Sequence, residues 1–188
     1  MTLELYTDIL SAGILAVSIL CGGTLLAWFV SENAREKLVS VSYFGYIKAL
    51  GLLAVSATIF ALVYQYLYDT PVCELCWWQR IFMFPIDIVA LMAIIFADRK
   101  AHYSILVLAA WGLMIAAYHY YYHFSIFVMG RELTLSCSGY GTLPSCTDTP
   151  VISFGFMTIP GMAMLVFVCI IFLGILAHMV NERDDKNI

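Results

Sequence analysis

Five stretches of this chain are each long and apolar enough to cross a bilayer: Ile9 to Val30, Tyr46 to Tyr68, Trp77 to Ala97, Tyr103 to His123 and Met157 to Val180. A spanning helix needs about 20 predominantly apolar residues. In lipid the backbone has to satisfy its own N–H and C=O groups, so such stretches are helices and not open strands. Hydrophobic residues make up 63% of the 188 positions and charged ones only 12%, an apolar share well beyond that of a soluble domain. The net charge of −4 comes with no basic stretch, which argues against a nucleic-acid partner. Glu4 and Asp8 precede the first apolar run and no Lys or Arg does. It therefore lacks the positive n-region of a cleavable signal peptide and reads as a retained span.

An odd number of spans puts the two termini on opposite sides. Arg35, Lys37 and Lys48 follow the first span, Arg99 and Lys100 the third, and Arg183 and Lys186 the fifth. These are alternate loops, all on one side of the membrane. The other side holds the amino terminus, the segment 69–76 and a long loop, 124–156, and Arg131 is its only basic residue. By the positive-inside rule the amino terminus is outside and the carboxyl terminus cytoplasmic.

Two close pairs of cysteines then face outward, where disulfides form and persist. Cys73 and Cys76 lie just before the third span, and Cys137 and Cys146 lie in the long loop before the fifth. The first pair is a CxxC at a helix start, where unpaired backbone N–H groups favour a thiolate. Arg80 stands one turn deeper on the same face as Cys76, at a depth where an arginine is costly without a partner. It would serve either to hold a thiolate or a quinone oxygen, or as an anchor snorkelling to the interface. A structural disulfide and half of a zinc site remain open for the CxxC, whereas haem attachment fails because Trp77 stands where His is needed. Cys137 and Cys146, with eight residues between them, suit a loop staple as well as a relay.

The run Cys73-Glu74-Leu75-Cys76-Trp77-Trp78-Gln79-Arg80, followed by a two-cysteine loop leading into Phe154-Gly155-Phe156-Met157-Thr158-Ile159-Pro160, resembles the DsbB/BdbC family of disulfide bond formation proteins. The resemblance covers about Tyr46 to Val180, and the short segment before the CxxC is closer to the BdbC branch. It implies an all-α membrane protein: a four-helix transmembrane bundle of DsbB type plus one extra amino-terminal transmembrane helix. Residues 1–45 would be that helix and a cytoplasmic loop, 46–180 the redox bundle, and 181–188 a cytoplasmic tail. The resemblance also implies a protein-disulfide:quinone oxidoreductase. In it Cys137 and Cys146 form the disulfide attacked by a DsbA-like thioredoxin-fold partner, Cys137 being the mixed-disulfide position. Electrons then reach Cys73 and Cys76; Cys76 contacts the quinone and Arg80 supports that site. The acceptor is ubiquinone or menaquinone, which the sequence does not distinguish. A strongly oxidising partner needs a still stronger acceptor, and the chain carries no Rossmann fingerprint for a flavin or nicotinamide cofactor.

Other residues carry two readings each. His119, near the outer end of the fourth span, is a candidate quinone or proton contact, or part of an aromatic interface belt with its tyrosines. Trp77 is a belt residue or a wall of the quinone site. Asp87 is too deep for a simple pair with Arg80 and is either functional or bonded to a neighbouring helix. Cys21 and Cys169 read as packing residues, and no resident metal is expected. Two other functions compete. A vitamin K epoxide reductase-like enzyme shares the bundle, but its loop cysteines precede the CxxC; a non-enzymatic scaffold would have two stapled outer loops.

Overall fold

A computed structural model of the chain describes residues 2–131 and 152–186. Among them are six helices: α1 (Leu3–Val30), α2 (Glu32–Ser40), α3 (Tyr43–Tyr66), α4 (Glu74–Ile95), α5 (Ala101–His123) and α6 (Ile159–Lys186). All but α2 are long and apolar enough to span a membrane. The protein is therefore an all-α, multi-pass membrane protein. The one sheet among the described residues is a two-residue hairpin, β1 (Ile152–Ser153) with β2 (Met157–Thr158).

Each expected span is present, with ends that hydropathy alone does not fix. Thr2 caps α1 through its hydroxyl, so the helix starts six residues before the apolar run and carries Glu4 and Asp8 on its polar first turns. α4 starts at once after Cys73, three residues before the expected Trp77, which places Cys76 inside the first turn. α5 runs on as a π-helical turn, Phe124–Val128, into what the sequence assigns to the outer loop. Met157 and Thr158, expected to open the last span, instead pair with β1. The helix α2 has no counterpart in the sequence reading. Its composition is polar, and it rests on local caps from Ser31 and a basic last turn at Lys37.

Helices α3, α4, α5 and α6 close a ring in which each packs on the next and α6 returns to α3. Lipid tails are as apolar as leucine, so close van der Waals approach, not exclusion from water, holds such helices together. The seam is accordingly built from small residues at helical spacing: Ala54 on α3, Ala90 and Ala93 on α4, Ala109 and Ala116 on α5, and Ala177 on α6, all buried. Larger side chains fill between them, with Phe167, Ile47, Leu50 and Ile105 fully enclosed. Gly112 is the closest approach: a Cβ there would lie 2.3 Å from the Phe167 ring.

α1 lies outside this ring, against α6. The two run parallel in a fixed register. Ser11 Oγ donates to Met162 Sδ at 3.5 Å, and seven residues on, Cys169 Sγ donates to Ser18 Oγ at 3.9 Å. Small polar side chains act here as interhelical glue. Cys21 also hydrogen-bonds Cys169, so the two cysteines that the sequence treats separately adjoin across one seam.

The end opposite the CxxC is tied by polar contacts. Arg99 donates to Asn181 Oδ1 at 2.8 Å and pairs with Asp184 at 2.6 Å. Nearby, Tyr43 Oη, His102 and His178 form a chain of hydrogen bonds at 3.3 and 3.2 Å. Gly112→Ala would push a methyl group into Phe167 and cost about 1–3 kcal/mol. A lower unfolding temperature in detergent than for Gly13→Ala, at a site where an added Cβ meets nothing within 4 Å, is the expected result; equal temperatures would contradict this packing.

Candidate functional site

Segment 67–73 brings the chain from α3 back into the bundle, and Cys73 is the residue that caps α4. A helix start leaves its first amides unpaired and carries partial positive charge. Cys73 and Cys76, three residues apart, therefore meet on one side of the first turn with their sulfurs 3.2 Å apart. Cys73 is 6% exposed and Cys76 partly buried.

The two sulfurs face different neighbours. Cys73 Sγ lies 3.8 Å from His119 Nε2, which is also 3.1 Å from His123 Nε2. Gln79 Nε2 meets His119 Nδ1 at 3.0 Å. An amide N–H donating to Nδ1 leaves the imidazole proton on Nε2, aimed between the Cys73 sulfur and His123. The hydrogen bond to Cys76 is the main cause that holds the Cys73 thiol well below the usual thiol range; burial opposes it, and the His119 contact reinforces it. The ligand atoms of Cys73, Cys76 and His119 lie within 4.8 Å of one another, a donor set that suits a thiophilic cation when both thiols are reduced.

Cys76 faces the other way, into a cavity of about 870 Å³ including its open mouth. The walls are almost wholly apolar, from Ala57, Phe60 and Ala61 on α3 to Met83 and Phe84 on α4 and Val166 and Phe167 on α6. Its polar residues gather around Cys76: Gln79, Arg80, Gln65 and Thr70, with Thr58 deeper. Arg80 is 9% exposed and does not snorkel. Its guanidinium donates to Gln65 Oε1 and, at 3.0 Å, to the carbonyl of Ala61. The Trp77 ring lies 5.3 Å from its central carbon. The guanidinium has five N–H donors, so these two bonds leave others for a ligand.

Of the residues singled out in the sequence, Cys73, Cys76, Arg80 and His119 thus come together. Trp77 sits beside Arg80 but is 39% exposed and does not line the cavity, and His119 contacts the cysteines from outside it. Cys137 and Cys146 lie outside the described residues. Asp87 accepts from Thr58 Oγ1 at 2.7 Å, the interhelical bond that was one of its two readings, while its Oδ1 is buried without a hydrogen-bond partner. Gln65, Gln79 and Thr70 are functional neighbours that the sequence reading did not single out. A glutamine at the outer end of an apolar span, such as Gln65, is itself a signal that a buried partner waits for it.

A buried dithiol with one acidified thiol, at the rim of a membrane helix bundle, defines a membrane thiol–disulfide oxidoreductase. The comparisons agree. Residues 46–177 match the family described as disulfide bond formation protein DsbB. The chain is 32% identical over 138 residues to the SPbeta prophage-derived disulfide bond formation protein B of Bacillus subtilis, covering 73% of this chain and 88% of that one. It is 36% identical to a probable disulfide formation protein of Oceanobacillus iheyensis, over 67% of this chain and 82% of the relative. A probable disulfide formation protein of Coxiella burnetii is 30% identical over 72% and 89%. No solved structure gives a significant match. The chain belongs to the DsbB family, in the DsbB/BdbC group of disulfide formation proteins.

The Cys73 environment makes a pH prediction. Folding lowers this pKa, so between the folded value and the ordinary thiol value of about 8.5 the reduced protein holds fewer protons than its unfolded chain. The associated stability is full above the ordinary value and is lost as pH falls through the folded one. Alkylation of reduced Cys73 should correspondingly persist well below pH 8. His119→Ala should move its midpoint upward, read as the rate of iodoacetamide labelling of the Cys73 peptide in the reduced parent and in His119→Ala, with Cys76 retained in both; an unmoved midpoint would remove His119 from the thiolate's support.

Proposed function

We propose that this protein oxidises a DsbA-like, thioredoxin-fold thiol protein on the outer face of the bacterial cytoplasmic membrane and passes the electrons to a membrane quinone. The observation that carries this reading is the cavity, in which Cys76, Arg80 and Thr70 share one mostly apolar lining. Thr70 Oγ1 is buried and has no hydrogen-bond partner among the described residues. A hydroxyl without a partner and an arginine with unused donors in the lining of one cavity suit the carbonyl oxygens of a quinone ring, and the apolar walls suit its ring and tail. The quinone supplies an acceptor for two electrons and two protons. That matches the two electrons and two protons lost when a dithiol becomes a disulfide.

The residues divide the work. Cys137 and Cys146 take electrons from the partner, with Cys137 forming the mixed disulfide. The pair then reduces Cys73–Cys76 by thiol–disulfide exchange at Cys73: one loop thiolate attacks the Cys73 sulfur and releases Cys76, and the second loop cysteine closes the loop disulfide by displacing Cys73, a good leaving group because its thiolate is stabilised. Cys76 is the sulfur that faces the acceptor. Arg80 and Thr70 orient the ring, and His119 with His123 handles the proton at Cys73. The basic residues at the far end of the bundle support an outward CxxC and a cytoplasmic carboxyl terminus. Residues 46–180 are the redox bundle in this scheme, with 1–45 and 181–188 flanking it.

Quinone reduction by the purified protein, driven by a reduced thioredoxin-like dithiol donor and followed optically, tests this. Cys76→Ser should abolish it. Arg80→Ala should lower kcat/KM by about 10- to 100-fold and Thr70→Val by roughly fivefold, as expected for the loss of a charged and a neutral hydrogen bond. A parent protein inactive with both ubiquinone and menaquinone analogues, its cysteines remaining bridged, would instead support a stapled scaffold.

A further inference from the structure

The helix α1 lies outside the residues that match the family, and most of it is bare. Ile19, Leu20, Leu26, Phe29 and Val30 are 66–78% exposed toward lipid. Its only buried residues are Tyr6, Thr7, Leu10 and Ser11. These four lie within two turns, at the level of the cavity, whereas the deeper contacts to α6 include the small side chains Ser18 and Cys21 against Cys169. Leu10 and, one turn deeper, Ile14 are part of the cavity wall.

Two further contacts fix that wall in place. Tyr6 Oη donates to the carbonyl of Phe60 at 3.4 Å, and the Tyr6 ring meets Tyr64 edge-on at 5.0 Å; Phe60 and Tyr64 both line the cavity. At the outer rim Ser153 Oγ donates to Asp8 at 2.6 Å, which ties β1 to the same helix. Without α1 the space between α3 and α6 would open to lipid at Leu10 and Ile14.

We propose that α1 is a ligand-binding wall, in which Leu10 and Ile14 contact the apolar part of a membrane quinone next to its ring and limit which rings and tails the cavity admits. This rests on the quinone reading above. α1 is then a specificity element added to the family bundle.

The test uses the full chain in lipid nanodiscs. Leu10→Trp and Ile14→Trp fill the cavity from α1, whereas Leu20→Trp adds the same bulk on the lipid side. The first two should raise the KM for short-chain ubiquinone and menaquinone analogues about tenfold or more. Leu20→Trp should leave the KM values, kcat and the quinone-free reduction of the cysteines by a reduced donor at the parental level. Unchanged KM values in both cavity variants, with parental turnover intact, would overturn the role of α1 and leave the quinone reading standing. A photoactivated azido-quinone gives a readout free of turnover and of variant folding: the crosslink should map to a peptide within residues 3–30 and be suppressed by excess quinone. Crosslinks confined to α3, α4 and α6 would overturn the inference. A parent with neither turnover nor crosslink would overturn both readings.

Discussion

Every backbone polar group inside a bilayer has to find its partner within the protein, and in this chain that requirement determines both the scaffold and the place of its chemistry. Helices satisfy the requirement everywhere except at their ends. The first amides of α4 are left over at such an end, and the cysteine pair occupies it. A thiolate is cheap to hold where N–H groups point outward unpaired and expensive a turn or two deeper. The same rule explains Arg80. Seven residues into the helix its charge is largely buried, so some of its N–H groups are spent on Gln65 and on the carbonyl of Ala61.

The cysteine pair divides two environments that have little in common. On the Cys73 side stand His119, His123 and Gln79, a polar chain able to hold or move a proton. On the Cys76 side is an apolar cavity with a few polar groups at its head. Two sulfurs 3.2 Å apart thus face a polar, buried environment and an apolar one, with Gln79 reaching both. The chain sustains this contrast because α5 presents its histidines to one flank of α4 while α3 and α6 present alanine, phenylalanine and valine to the other.

Much of this was legible in the sequence, since the signals were of the kinds that survive without tertiary structure. Hydropathy gave five spans, charge asymmetry put Arg99 and the basic end of α6 together, and the CxxC with Arg80 in helical register marked the site. What was hidden depends on which faces meet. Gln65 and Arg80 are 15 residues apart on different helices, and Thr70 matters only because its hydroxyl is left alone in a cavity wall. The adjacency of Cys21 and Cys169 likewise follows from the parallel register of α1 and α6, which no single-helix pattern contains. Helix ends were displaced by a few residues because the Thr2 cap, and the pairing of Met157–Thr158 with β1, override apolar content.

The described residues on either side of the segment 132–151 are held at two fixed posts. Arg131 N–H is held by the carbonyl of Ser125 at 3.0 Å, and the returning hairpin is held through Ser153 to Asp8 and through the Phe156 carbonyl, which accepts from Tyr120 Oη at 3.3 Å. A chain tied down at both ends cannot diffuse away. Covalent attachment at both posts makes a reaction between any group in residues 132–151 and the start of α4 intramolecular, whatever the density of protein in the membrane. Encounters between that segment and the start of α4 are therefore unimolecular, and crowding or dilution of the protein changes only its meetings with other molecules.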